Sequence, residues 1–312
     1  STDSRAFSLY IPLISSNIMN RPVRESAGKR LLFIMAANEK QWSSATPGLL
    51  IFLLDQSGSM TLPYEGGESR SEFASKAVNR MIDNIIQSNY NGDSPKNRCY
   101  ISVIGYNHNV KPICNGYLKE LDESPLKLEE ITKKILDGAG GIIETKVKMP
   151  IWVEPIREDG ATNMKGAFEM AKEIVEKWIM DYPERPAPVI INISDGCPYY
   201  QGLDESICMQ ETIQVVDQIK SVTCDDGNIQ IFNAMIGDGP KDEFPTTKKG
   251  ISVEADFLFE ISTIIPDAYR PAAHTKGLNI PEGARGCICQ CDAVQLIQLI
   301  DFGSSKGQGD RI

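Results

Sequence analysis

The feature that most constrains this chain is an unbroken apolar run at residues 49–54, Leu-Leu-Ile-Phe-Leu-Leu, closed by Asp55. A strand with apolar side chains on both faces must be covered on both, which places it inside a parallel sheet sandwiched by helices. The signature recurs at residues 189–194, a mostly apolar run closed by Asp195. Between these runs the period switches to that of a helix. Ser69-Arg-Ser-Glu72 has capping-box spacing, and Phe73, Ala74, Ala77, Val78, Met81, Ile82, Ile85 and Ile86 then share one stripe. Met164, Ala167, Phe168, Ala171, Ile174, Val175 and Trp178 mark a second amphipathic helix, stopped by Pro183. The alternation predicts an α/β fold with a doubly wound, mostly parallel sheet and helices on both faces. One antiparallel edge strand is expected where residues 110–114 return along residues 100–106 after Asn107-His-Asn109.

Further helices are expected at residues 125–136, 207–222 and 293–300, and further strands at 229–236 and 257–261. Asp137-Gly-Ala-Gly-Gly141 is rich enough in glycine for a phosphate loop, but neither Gly-Lys-Ser/Thr nor a helix follows, so a flexible turn is expected. Residues 1–47, with short apolar pieces at 7–14 and 31–36, read as an extension that adds an edge strand or packs on the body.

Charge and length exclude several classes. With 42 acidic against 32 basic residues and a net charge of -10, the chain lacks the basic face needed to displace counterions from nucleic acid. No apolar run approaches the roughly 20 residues that span a bilayer, and the first residues show no secretory pattern. The eight cysteines (99, 114, 197, 208, 224, 287, 289 and 291) include no CxxC pair, which argues against a structural zinc. A chain this long does not need disulfides, so reduced thiols in a cytoplasm are expected, with a secreted or cell-surface location as the alternative. Cys287, Cys289 and Cys291 would share one strand face as small buried side chains rather than as a soft-metal or redox site.

The chemistry gathers at the strand ends. Asp55-Gln-Ser57-Gly-Ser59-Met60 places one carboxylate and two hydroxyls on a tight loop directly after the first buried strand. These are hard oxygen donors, suited to Mg²⁺, and loops at the carboxyl ends of such strands are where open α/β sheets bind ligands. Taken alone, a DxSxS loop is equally well a turn with serine caps. Asp159-Gly-Ala-Thr162-Asn-Met164 adds a hydroxyl before a helix, and Ile193-Ser-Asp195-Gly-Cys-Pro198 adds a second carboxylate at a strand end. Thr162 could cap its helix and Asp195-Gly196 could form a turn, but three such loops in this order are unlikely by chance.

The three pieces together resemble the von Willebrand factor A family, whose metal-ion-dependent adhesion site combines DxSxS, a later Thr and a later Asp. The resemblance covers residues 48–302, with residues 115–150 as a variable interlude, 1–47 as an extension and 303–312 as a tail. It implies that Ser57, Ser59 and Thr162 ligate Mg²⁺ or Mn²⁺, and that Asp55 and Asp195 act largely through water or by orienting the site. It further implies an open coordination position filled by an Asp or Glu of a protein partner. Cytoplasmic members of the family, among them bacterial stress and tellurite-resistance types, work with AAA+ ATPases or with kinases and phosphatases; that step is analogy. An extracellular adhesin using the same site is the alternative. A Mg-dependent hydrolase is weaker, because His108 and His274 lie outside the motif, Cys197 has no evident His partner and no GxSxG elbow is present. The chain is therefore not expected to be an enzyme. Alkylation of unreduced, unfolded protein from the native source should label most thiols; several intact disulfides would move the chain to the extracellular reading.

Overall fold

The computed structural model describes residues 38–136, 142–156, 159–275, 277–290 and 295. Its centre is β1 (Gly48–Asp55), buried along its whole length. After two short 3-10 turns comes α1 (Arg70–Ser88), opened by a complete Ser69–Glu72 capping box. The chain continues through β2 (Cys99–Tyr106), β3 (Val110–Tyr117), α2 (Leu118–Glu123), β4 (Lys127–Leu136), β5 (Ile142–Ile151) and α3 (Met164–Asp181). It closes with β6 (Val189–Ser194), α4 (Glu205–Ser221), β7 (Gln230–Met235), β8 (Asp242–Glu243), α5 (Val253–Ile261), α6 (Arg270–Thr275) and β9 (Cys287–Cys289).

Seven strands form one sheet in the order β8-β9-β7-β6-β1-β2-β3. The five inner strands are parallel, while β3 and β8 are antiparallel edges. The sequence led us to expect one such edge; β8 is too short to leave a periodic signal. Alternation along β1 divides the core. Leu50, Phe52 and Leu54 join the cluster containing Phe73, Val78 and Ile82 of α1. Leu49, Ile51 and Leu53 join Phe168 and Val175 of α3, Val216 and Ile219 of α4, and Leu258 of α5. Helices therefore cover both faces.

From β1 the chain passes through α1 to β2 on one side, whereas from β6 it passes through α4 to β7 on the other. The two crossovers leave in opposite directions, so the carboxyl ends of β1 and β6 form the switch point of the sheet, where loops part and a crevice opens. Asp55 ends β1, and Asp195 directly follows β6.

Two expectations fail. Residues 125–136 form a strand, not a helix: β4 pairs with β5 in register from Lys127↔Ile151 to Leu136↔Ile142. Ile131 and Ile135 have the i, i+4 spacing of a helix, but four residues apart they also share one face of a strand, and β-branched Val147 and Ile143 stand opposite them in the register. Residues 257–261 belong to α5 rather than to a strand. Four apolar residues interrupted by Glu260 cannot tell the two apart. The Ser252 side chain accepts from the Ala255 N–H at 3.1 Å, and Glu254 and Asp256 lie in the first turn, where acids suit a helix start.

The place beside β7 goes instead to β9, where Cys287 and Cys289 share a face with sulfurs 3.9 Å apart. Cys291, the turn at residues 137–141 and nearly all of the expected helix at 293–300 lie outside the described residues. So do residues 1–37. Residues 38–47 contain no regular element, yet they are anchored: the Lys40 N–H donates to Asp226 Oδ1 at 2.7 Å, and Trp42 is buried. A Cβ on Gly48 would fall inside the Trp42 indole. Gly48→Ala should therefore cost about 1–3 kcal/mol through overpacking, lowering Tm by about 2–4 °C per kcal/mol and shifting tryptophan emission to the red. An unchanged Tm and spectrum would show that Trp42 does not pack there.

Candidate metal centre

Asp55 is carried into the interior because β1 is apolar on both faces and ends on it. Its two oxygens are held separately. Oδ1 accepts from the Ser57 N–H at 2.9 Å and Oδ2 from Ser194 Oγ at 2.6 Å. Ser57 and Ser59 bring their hydroxyl oxygens to 3.2 Å, and Ser59 Oγ donates to Asp195 Oδ1 at 2.8 Å. Four of the five expected residues are thus linked by hydrogen bonds at the switch point. Thr162 joins through backbone: its N–H donates to the Tyr199 carbonyl at 2.6 Å, and the Tyr199 N–H donates back at 3.0 Å. The Gly58 N–H reaches the Gly160 carbonyl at 2.9 Å, clamping the DxSxS loop to the Thr162 loop. A Cβ at Gly58 would fall on the Asp159 carboxylate, so a side chain there needs that exposed carboxylate to turn aside.

The capping alternatives are not realised. Asn163, not Thr162, caps α3, its side chain accepting from the Gly166 N–H at 3.0 Å. Ser57 precedes a 3-10 turn without a side-chain cap bond. Neither hydroxyl is used to start a helix.

Electrostatics give a reason for a cation. Burial, reinforced by the neighbouring Asp195, pushes the Asp55 carboxyl from 3.8 up to about 7, against the opposing hydrogen bonds from Ser194 and Ser57. Two carboxylates in a water-poor crevice lack positive charge. Arg70, the first residue of α1, supplies part of it through Nη1, 2.8 Å from Asp195 Oδ2. Beneath the site, Tyr106 Oη donates to Asn192 Oδ1 at 2.8 Å, Asn192 to Asn233 at 3.0 Å, and Asn233 to Ser262 at 2.8 Å. This buried chain ties β2, β6 and β7 together under the loops. Burial and the nearby Asp55 hold the Tyr106 phenol well above its usual range, so it remains a donor.

The donor set suits a hard divalent ion. Among the described residues no three His, Cys, Asp or Glu side chains gather closely enough to hold a metal by themselves. A cation here would depend on the hydroxyls of Ser57, Ser59 and Thr162 as much as on the acids, which favours Mg²⁺-like chemistry over soft metals.

Sequence reading missed Arg70 and Ser194. Ser194 carried a signal, as the last strand residue before Asp195; Arg70 carried none beyond its place after the Ser69 cap. His108 lies beside the Thr162 loop, its Nδ1 3.3 Å from where a Gly160 Cβ would stand. Cys197 is no ready nucleophile: burial pushes its thiol up to about 12, and its sulfur rests 3.6 Å from that of Met209.

No protein-family model matches the sequence, and no curated protein sequence matches it. Solved structures do. The type V pili tip protein Mfa5 of Porphyromonas gingivalis, as three N-terminal domains, is 15% identical with a TM-score of 0.27, over 49% of this chain and 20% of its own. BatB of Bacteroides thetaiotaomicron is 14% identical with a TM-score of 0.38, over 83% of this chain and 99% of its own. Proximal thread matrix protein 1 of the mussel byssus, with a zinc-occupied MIDAS motif, is 15% identical with a TM-score of 0.42, over 83% of this chain and 48% of its own. The chain spans less than two thirds of the pilus and mussel structures.

Asp55→Asn tests the electrostatic account. Asparagine keeps the shape and removes the charge, so in EDTA at neutral pH the variant should be more stable than the parent. The sign follows from linkage: the folded pKa lies above the unfolded one, so the folded chain holds the extra proton between pH 3.8 and about 7. This group's contribution therefore falls as pH rises through that window and levels off above it. The Tm gap between variant and parent should widen over the same range in EDTA. Saturating Mg²⁺ should raise the parent's Tm and leave the variant's unmoved. A constant gap would show that Asp55 is not the strained group.

Proposed function

We propose that this chain is a von Willebrand factor A-type interaction module, without catalytic activity, that binds a protein partner through a divalent cation. The carrying observation is the convergence of Asp55, Ser57, Ser59 and Asp195 in one hydrogen-bonded set at the switch point. Thr162 is clamped beside them by the Gly58–Gly160 and Thr162–Tyr199 backbone bonds. Ser57, Ser59 and Thr162 would hold Mg²⁺ or Mn²⁺ directly. When bound, the ion supplies a Lewis-acidic position open to an acidic side chain of the partner.

The residues around that position work by charge. Asp55 is held on both oxygens by Ser57 and Ser194, and Asp195 on both by Ser59 and Arg70. Carboxylates engaged in this way favour contact through water over direct coordination, which leaves the site with positive charge to offer a carboxylate. Against a reaction at the site stands the protonated Cys197 thiol.

An intracellular assembly is the proposed setting, with a secreted or cell-surface adhesin as the alternative. An AAA+ ATPase, or a kinase or phosphatase of the same cell, is the proposed class of partner. A pull-down from native extract should recover a protein in Mg²⁺ and lose it in EDTA. Thr162→Ala, which removes one hydroxyl and keeps both acids, should lose it as well. Equal recovery in all three conditions would place recognition on another surface.

A further inference from the structure

The cation site lies in a face that also carries two large exposed apolar side chains, Leu62 and Tyr199, at 49% and 52% exposure. Isolated exposed apolar residues are ordinary on protein surfaces and mean little by themselves. These two differ in how they are held. The Leu62 N–H donates to the Ser59 carbonyl at 3.1 Å, and its own carbonyl accepts from the Arg70 N–H at 3.0 Å. Tyr199 is bonded through both its N–H and its carbonyl to Thr162. Each is therefore one backbone hydrogen bond from a residue of the metal set, one on the loop after β1 and the other on the loop after β6. Neither backbone can withdraw without disturbing that set.

We propose that Leu62 and Tyr199 determine specificity at this face, selecting a partner segment in which one acidic side chain stands next to apolar side chains. The inference rests on the cation-site reading above. Charge sets the chemistry of the partner. Arg70 neutralises one of the two site carboxylates, so a bound divalent ion makes a local positive spot. The chain around it carries a net charge of -10. A strongly acidic partner would be repelled at long range and gain only at the spot itself, whereas one carboxylate in an apolar setting meets the attraction and avoids most of the repulsion. Apolar contact beside the ion also excludes water from the ionic contact, which strengthens it, and a rigid tyrosine ring gives contact area at small entropic cost.

The test uses the full chain and a random linear-peptide display library, panned in Mg²⁺ and in EDTA. Clones dependent on Mg²⁺ should carry an Asp or Glu beside Leu, Phe, Tyr or a similar residue. Panning on Leu62→Ser or Tyr199→Ser should keep the acid and lose the apolar neighbour, and a peptide selected on the parent should bind these variants about tenfold more weakly. Tyr199→Phe, which keeps the ring, should bind as the parent does. Calorimetry with Mg²⁺ alone should give the same affinity for all three variants, which separates loss of a flank from loss of the metal set. Clones rich in acid without apolar preference, or undiminished binding by the serine variants, would overturn this inference and leave the cation site standing. No Mg²⁺-dependent clone at all would overturn both.

Discussion

The structure depends on one costly placement: a carboxylate at the end of a strand that is apolar on both faces. Asp55 must follow residues 49–54 into the interior, and an ionised acid there is stable only if each oxygen finds a donor and the charge finds an opposite. The parallel register of β1 against β6 brings Ser194 alongside Asp55, and the turn after β1 folds the Ser57 N–H back onto it. That turn in turn is closed by the Thr162 loop, through the bond from the Gly58 N–H to the Gly160 carbonyl. The order of the strands, the two loops and the amino end of α1 are thus parts of one solution to a local charge problem.

Much of this architecture was legible, for reasons that can be named. β1 and β6 announce themselves because a strand covered on both faces has no polar alternation to confuse with a helix. α1 and α3 do so because their stripes are long and one has a capping box. β4 and α5 were misread where the signal was short or double: Ile131 and Ile135 satisfy both periods, and the four apolar residues of 257–261 satisfy neither decisively. Pairing across the hairpin in the first case and the Ser252 cap in the second settled the matter. Neither can be weighed within a single short window.

The site divides along the same line. Asp55, Ser57, Ser59, Thr162 and Asp195 could be found because each sits at the junction of a strong strand or helix with a loop. Arg70 could not, since its partner is 125 residues away and only the crossover from β1 through α1 brings them together. Thr162 shows a subtler limit. In sequence it competes with Asn163 for the cap of α3, and only the observed bond from the Gly166 N–H to Asn163 removes it from that role.

Arg70 then sets the terms on which the face can act. A guanidinium fixed on Asp195 Oδ2 is a resident cation, and by Coulomb repulsion it weakens the hold on any divalent ion nearby. It also keeps that oxygen occupied, so Asp195 is less able to neutralise such an ion by binding it directly. The two effects oppose each other in affinity but act together on charge: a cation held here is held less tightly and retains more of its field. A site built to retain an ion as a structural element would gain from turning every acid inward. Hydroxyl donors, acids already engaged by hydrogen bonds and an arginine at the rim give the opposite balance, suited to an ion whose remaining charge is directed at something outside the chain.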